Sequence, residues 1–455
     1  MTYVIAAPDF LVAATRDLAG VGSTLHVATE SATAVTRQIL PAASDEVSTQ
    51  IAALFGDYAD QYRAMTTQAA AFHDMFVRTL EAGATSYAGA EAANAGLMHA
   101  VEAVNTSMDS GVATPLVNAS NTTALIMGGT FMPNPTPSYV AALNSLFIQP
   151  NPAYTGATPW GLYTPETAGF PILGPTSLNQ SIAQGQFILN NAIMNAPVGS
   201  QTLVFGYSQS SVIATLEMRA LDALPPSYRP SPSDLSFMLI GNGDNPNGGV
   251  FSRFTFNFPE LGITSAGPTP SDTPYPTTIY TLQYDGLANF PQYPLNAVAD
   301  LNALAGAALV HPTYAMLTSQ QVQSAMQLAT SPGYYENGGV THYYMIPQQN
   351  LPLLEGVRNI PVVGTPLADL LQPDLRVLVN LGYNSEGYAD VTAGATLWPA
   401  VPPNFNAATT AGQLVLGAQQ GVNDAFVDLG LLPPSDYATT YPAVNVLGEM
   451  VAIAE

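Results

Sequence analysis

The spacing of apolar residues changes character along the chain. From residue 8 to about 83 they recur at alternating intervals of three and four. Leu11, Leu18, Val21, Leu25, Ala28 and Val35 mark one narrow seam of coiled-coil type, and Val47, Ile51, Leu54, Tyr58, Tyr62, Met65, Phe72 and Phe76 mark a second. Pro8 stands where a helix start tolerates it. Pro41, with Ser44 as N-cap, marks the turn between two helices. Helices of roughly 30 and 40 residues are rods of roughly 45 and 60 Å. The pair makes a hairpin. Its second helix carries more aromatic surface than the alanine-rich first can cover, so a partner helix bundle is expected, with self-association or docking on the same chain as the alternative.

The region 84–120 is rich in Ala, Gly, Ser and Asn, holds no sustained period and reads as a linker, placing domains at 1–98 and 121–455 with residues 99–120 between them. From about 121 short apolar runs alternate with helical stretches, the pattern of an α/β sheet. Strands are expected at 124–127, 203–205, 235–240, 278–284, 343–346 and 377–380, and helices near 137–147 and 177–195. The stretch 242–277 is too long for an ordinary connection, and its Phe251, Phe254, Phe256 and Phe258 read equally as a lid over an acyl chain or as a small core layer. The fold class that follows is an α/β-hydrolase-like domain preceded by an all-α two-helix hairpin.

Within that pattern one junction carries chemistry. Leu203-Val204-Phe205 is a short buried strand, Gly206-Tyr207-Ser208-Gln209-Ser210 a turn of mostly small residues, and Val212, Ile213 and Leu216 open a helix. Strand, tight turn and helix with a central serine is the setting of a nucleophile elbow. The usual G-x-S-x-G ends here in Ser210, the next smallest choice.

Composition narrows the possibilities. The net charge of −23 comes from 9 basic and 32 acidic residues, and every basic residue is arginine, so neither nucleic acid nor an anionic membrane is an expected partner. There is no cysteine, hence no thiolate nucleophile and no thiolate metal site. Acidic residues are scattered and histidines do not stand at ligand spacing, so no metal or other cofactor is expected. The first basic residue is Arg16, so the charged n-region of an ordinary secretory signal is missing, and no apolar run approaches the roughly 20 residues of a membrane span.

A serine needs a base, and the base an orienting carboxylate. Of the five histidines, His26 and His73 fall in the helical hairpin and His99 in the linker. His311 sits where Pro312 ends a helical stretch and begins a loop, which suits a base reaching over the sheet edge, whereas His342 opens an alternating strand, where a structural histidine is common. His311 is the preferred base. For the acid, Asp285 follows the strand 278–284 directly and is preferred over Asp244, which lies in a Gly/Asn turn. Oxyanion donors are expected from the backbone of Gln209 and from the loop Gly129-Thr130-Phe131, where the Thr130 hydroxyl could add a bond.

Two resemblances gather these features. The start Met1-x-Tyr3-Val4, the Pro8-Asp9 pair, the alanine-rich hairpin and Tyr87-Ala88-Gly89-Ala90-Glu91 resemble the PE domain of mycobacterial PE/PPE proteins over roughly residues 1–98, with Pro8-Asp9 in place of the Pro-Glu that names the family. The resemblance implies a PPE-family partner for the hairpin and a Tyr87…Glu91 motif read by the type VII secretion machinery. Residues 121 to about 350 resemble the PE-PPE domain, a serine α/β-hydrolase family related to cutinases and lipases. The matching residues are Gly128-Gly129-Thr130, Gly206-Tyr207-Ser208-Gln209-Ser210, Tyr284-Asp285-Gly286, His311 and Tyr344-Met345-Ile346-Pro347. That family's triad falls on Ser208, Asp285 and His311.

The expectation is therefore an exported, secreted or cell-surface serine esterase acting on acyl esters or lipids. Two alternatives stand beside it. The same triad could transfer the acyl group to a sugar or glycolipid alcohol, or the second domain could be a non-catalytic surface module acting through a PPE partner.

Overall fold

A computed structural model of the chain describes residues 121–168, 177–258, 262–384 and 386–437, the backbone of 440–444 and 450–452, and, towards the N-terminus, residues 40–53 with separate helical stretches between 15 and 77. The chain divides into two compact units, Met1–Leu116 and Val117–Glu455.

In the first unit, residues 18–24, 27–31 and 46–53 are helical. The cap of the helix that begins at residue 46 is Asp45, not Ser44. Its Oδ1 accepts the Ser48 N–H at 2.9 Å, and its Oδ2 accepts the Ser48 hydroxyl at 2.6 Å. Those bonds hold the Asp45 carboxyl below its ordinary range. Val21, Val47 and Ile51, all on the expected seams, are exposed, as are Val27 and Phe55. The linker lies outside the described residues.

The second unit is built on a seven-stranded sheet. Its strands are β1 (Thr122–Ile126), β2 (Thr158–Gly161), β3 (Gln201–Tyr207), β4 (Leu235–Ile240), β7 (Thr277–Leu282), β8 (Met326–Gln327) and β9 (Thr341–Ile346). They lie in the order β2-β1-β3-β4-β7-β9-β8, with β5 (Asn257–Phe258) and β6 (Ile263–Thr264) forming a separate two-stranded pair. All neighbours in the large sheet run parallel except β8 on β9. The strands bury both faces, as parallel strands do. Leu125, Val204, Phe237, Leu239 and Tyr343 fill one side, and Ala124, Ile126, Leu203, Phe205, Met238 and Ile240 the other. That alternation is the period-two consequence of strand geometry.

Among the helices are α1 (Pro137–Leu143), α2 (Leu178–Met194), α3 (Gln209–Asp222), α4 (Val250–Arg253), α5 (Ala297–Leu309), α6 (Gly364–Asn380) and α7 (Ala407–Asp428), with short helices also at Ser319–Gln323 and Glu355–Arg358. α2 starts on a full capping box, Ser177 with Gln180. It approaches α3 closely because Gly185 has no Cβ, which would stand 2.3 Å from the Ile213 methyl. From β1 the chain crosses to β2 on one side and then to β3 on the other. The strand order thus reverses between β1 and β3, which makes their carboxyl ends the switch point at which ligands of such sheets bind.

Two expectations change. Val377–Asn380 is not a strand but the last turn of α6. The buried positions there, Ala368, Asp369, Gln372, Pro373, Arg376 and Val377, step by helical intervals, but half of them are polar and one is proline, so the apolar pattern left only its final run visible. The stretch 242–277 folds as α4 and the β5–β6 pair. Phe254, Phe256 and Phe258 form a chain of ring contacts at 5.8 and 6.3 Å that runs outward to the exposed Phe258.

Candidate active site

The site begins with the end of β3. Ser208 has φ 56° and ψ −116°, a conformation disfavoured for any residue with a Cβ. Neighbours on both sides hold it there. Its N–H donates to Ile240 O at 3.1 Å, and its C=O accepts from Ser211 N at 3.0 Å. Strand and helix meet so closely that a Cβ on Gly206 would stand 2.9 Å from Ser210 O. Ser210 suits its position in a way glycine would not. Its Oγ accepts from Tyr207 N at 2.8 Å and donates to Tyr207 O at 3.1 Å, tying the first turn of α3 back to the strand.

The acid follows β7, and the base opens the short 3-10 helix His311–Met316 where a loop is expected. His311 Nε2 lies 2.8 Å from Ser208 Oγ, and His311 Nδ1 lies 2.9 and 2.8 Å from the two oxygens of Asp285. The Asp285 carboxyl is fully buried yet well supplied with donors. Oδ1 accepts from Leu287 N at 2.9 Å and Ala288 N at 3.2 Å, and Oδ2 accepts the Tyr314 hydroxyl at 2.8 Å. Bonds from this many donors fix the orientation of the buried carboxyl.

The imidazole is framed as tightly. The Tyr207 ring stacks on it at 5.5 Å and 27°, and the Tyr207 hydroxyl donates to His311 O at 2.8 Å. On another side Gly241, at φ 56°, leaves room for it: a Cβ there would lie 3.0 Å from His311 Cε1. Tyr207, Tyr314 and Gly241 were not singled out from the sequence. The only signal for them is position, in the elbow, three residues beyond His311, and directly after β4.

The rival candidates stand elsewhere. His342 is exposed on β9, stacked on Tyr335 at 5.2 Å, and paired in register with Thr278 at the start of β7, the opposite end of the sheet from Asp285. Asp244 is wholly buried after β4 and neither carboxyl oxygen has a hydrogen-bond partner among the described residues. Burial pushes its pKa up to about 8, with Arg219 opposing that rise.

Both expected oxyanion segments converge on the elbow. Gln209 is the first residue of α3, so its N–H has no intrahelical partner. The loop after β1 packs directly on the nucleophile, since a Cβ on Gly129 would stand 3.2 Å from Ser208 Cβ. In that turn Phe131 N donates to Glu166 O and Met132 N to Gly129 O, and the Thr130 N–H takes no part in those bonds. The Thr130 hydroxyl is engaged differently from the expectation: it donates to Gln209 Oε1 at 3.0 Å. Tyr87 and Glu91 lie outside the described residues.

The acid turn is pressed from behind by α5. Tyr284 has φ 64°, and a Cβ on Gly306 would fall 1.8 Å from Tyr284 O. The phenol of Tyr284 donates to Asn380 Oδ1 at 2.9 Å, which brings the end of α6 into the same support.

Residues 155–384 match the family described as PE-PPE domain, and residues 4–94 the family described as PE family. The first match begins about 30 residues further along than the resemblance over 121–350 and leaves out β1 and the turn after it, although β1 belongs to the sheet. PE family protein PE3 of Mycobacterium tuberculosis (strain ATCC 25618 / H37Rv) is 46% identical over 445 residues, 97% of this chain and 92% of that protein. Esterase PE16 of the same strain is 44% identical over 420 residues, 90% of this chain and 76% of that protein. Among solved structures, a cutinase-like protein from Cryptococcus sp. aligns with TM-score 0.26 and 20% identity, covering 38% of this chain and 81% of that one. The chain belongs to the mycobacterial PE family, with a PE domain at its N-terminus and a PE-PPE domain of α/β-hydrolase class after it.

Proposed function

We propose that the protein is a serine esterase that hydrolyses carboxylic esters through an acyl-enzyme on Ser208. The observation that carries the reading is His311, which spans Ser208 and Asp285 through its two ring nitrogens, with 2.8 Å separations on either side. Ser208 Oγ attacks the ester carbonyl while His311 Nε2 takes its proton. The oxyanion of the tetrahedral intermediate receives the N–H groups of Gln209 and Thr130. Collapse expels the alcohol, which takes the proton from Nε2. Water, losing its proton to the same base, then attacks the acyl carbonyl; collapse breaks the Ser208 Oγ–acyl bond, Oγ regains a proton from Nε2, and the carboxylic acid leaves. Asp285 accepts the Nδ1–H throughout and stabilises the imidazolium without being protonated.

Exposed apolar side chains adjoin the catalytic segments in sequence: Phe131 follows Thr130, Leu309 ends the helix before His311, and Met316 ends the short helix that His311 opens. An acyl group is the moiety that side chains of this kind would hold. The similarity to Esterase PE16 points the same way. The test is a series of p-nitrophenyl esters of increasing acyl length on wild type and Ser208→Ala. The reading requires turnover that Ser208→Ala abolishes. Appearance of new esters when sugar or lipid alcohols are added would instead assign the acyl-enzyme to transfer.

The same proposal includes export by a type VII route and a PPE-family partner for the PE domain. Its support is the family match over residues 4–94 and the exposed Val47, Ile51 and Phe55. Among the described residues no helix is long and apolar enough to cross a membrane.

A further inference from the structure

The two oxyanion donors belong to segments 79 residues apart, and a closed circuit of hydrogen bonds ties them together. Thr130 Oγ1 donates to Gln209 Oε1 at 3.0 Å, and Gln209 Nε2 donates to Thr167 O at 3.2 Å. One peptide back along the chain, Glu166 O accepts the N–H of Phe131 at 2.6 Å, and Phe131 follows Thr130, which closes the ring. Two links of the ring, Glu166 at φ 45° and Phe131 at φ 69°, sit in the left-handed region without being glycine. Such backbone persists only where the surroundings over-determine it.

What fixes Glu166 is its side chain. It is fully buried, with Oε1 2.5 Å from the Thr164 hydroxyl and Oε2 without a hydrogen-bond partner among the described residues. No described cation forms an ion pair with it, and a charge there would be uncompensated. We propose that Glu166, held in its neutral acid form, is a positioning residue that anchors the oxyanion turn and so sets the distance between the Thr130 and Gln209 N–H groups. This rests on the esterase reading above. Burial raises the Glu166 carboxyl to about 8, opposed by the bond from Thr164. The titratable group facing it is Tyr139 of α1, which in turn faces Tyr207 at the end of β3; burial holds both phenols well above neutrality. Ionisation of Glu166 above its folded pKa would then release the turn before either phenol titrates.

The test uses the full chain and p-nitrophenyl butyrate, with kcat and KM measured from pH 6.5 to 9.5 and folding followed by circular dichroism. Removing an oxyanion donor outright costs about 10²–10³ in kcat, so Glu166→Ala, which loosens one, is expected to lower kcat by roughly 10- to 100-fold with KM within about two-fold. Glu166→Gln, neutral at every pH and able to accept from Thr164, is expected to restore kcat near pH 7 and to lose the alkaline fall near pH 8 that is expected of wild type. A folded Glu166→Ala with unchanged kcat, or with only KM altered, overturns the proposal. If Glu166→Ala does not fold, the Gln variant decides: an alkaline limb that stays where wild type has it overturns the proposal. Ser208→Ala run alongside separates the two levels, because activity surviving in it removes the esterase assignment itself, whatever Glu166 does.

Discussion

Asp285 illustrates how much of the site rests on single residues. Its carboxyl faces four donors, from His311, Leu287, Ala288 and Tyr314. A hydrogen bond to a charged group is worth about 1.5–3 kcal/mol, so Tyr314→Phe is expected to lower kcat by about ten-fold or more at unchanged KM, read by steady-state kinetics. Asp244 gives the opposite prediction. Its folded pKa of about 8 lies far above the ordinary carboxylate value of 3.8, so the acid form is favoured by folding. Its contribution to stability is therefore fully present below the ordinary value of 3.8 and is lost progressively as the pH rises from there through about 8. Asp244→Asn should raise the melting temperature at pH 8, by a free energy on the order of a few kcal/mol, and leave it nearly unchanged at pH 4. A drop at pH 8 would mean the carboxyl is paired in the fold. At this scale the nucleophile and base were legible because each sits in a local pattern, an elbow for Ser208 and a helix-ending proline for His311. Tyr207, Tyr314 and Glu166 were not, because what they do depends on groups brought to them by the fold, such as the Tyr207 bond to a carbonyl 104 residues away.

At the scale of elements, α5 stands out because its fit leaves no room for side chains where it meets the acid turn. A Cβ on Gly306 would lie 1.8 Å from Tyr284 O, and one on Gly286 1.8 Å from Ala303 O. Both neighbours are backbone, so the helix must move. Gly306→Ala is expected to cost roughly 1–3 kcal/mol in a denaturant titration and to lower kcat by displacing Asp285. Gly412→Ala in α7, where a Cβ meets open space, should instead leave activity unchanged and stability equal or slightly higher. The central strands were readable because each carries a short apolar stretch, such as Leu203-Val204-Phe205 in β3 and Phe237-Met238-Leu239-Ile240 in β4. β2, whose residues 158–161 are mostly exposed, offered no such run, and α6 hid its period behind buried Asp369, Gln372 and Arg376. Edge strands and helices that bury polar networks carry their pattern in partners rather than in hydropathy.

At the scale of the whole molecule, the boundary between units at Leu116 and Val117 separates the family's PE domain from every residue of the catalytic constellation. Removal of residues 1–116 is therefore expected to leave kcat/KM on short esters within about two-fold while abolishing association with a PPE-family protein, measured by pull-down of the full and shortened chains. The central claim, that Ser208 is the nucleophile activated by His311 and Asp285, is tested most directly by reaction with a fluorophosphonate followed by peptide mass spectrometry. The account predicts one adduct, on Ser208, formed rapidly in wild type, slowed by roughly 10³-fold or more in His311→Ala, and absent in Ser208→Ala. An adduct on another residue, or labelling of Ser208→Ala at the wild-type rate, would contradict it.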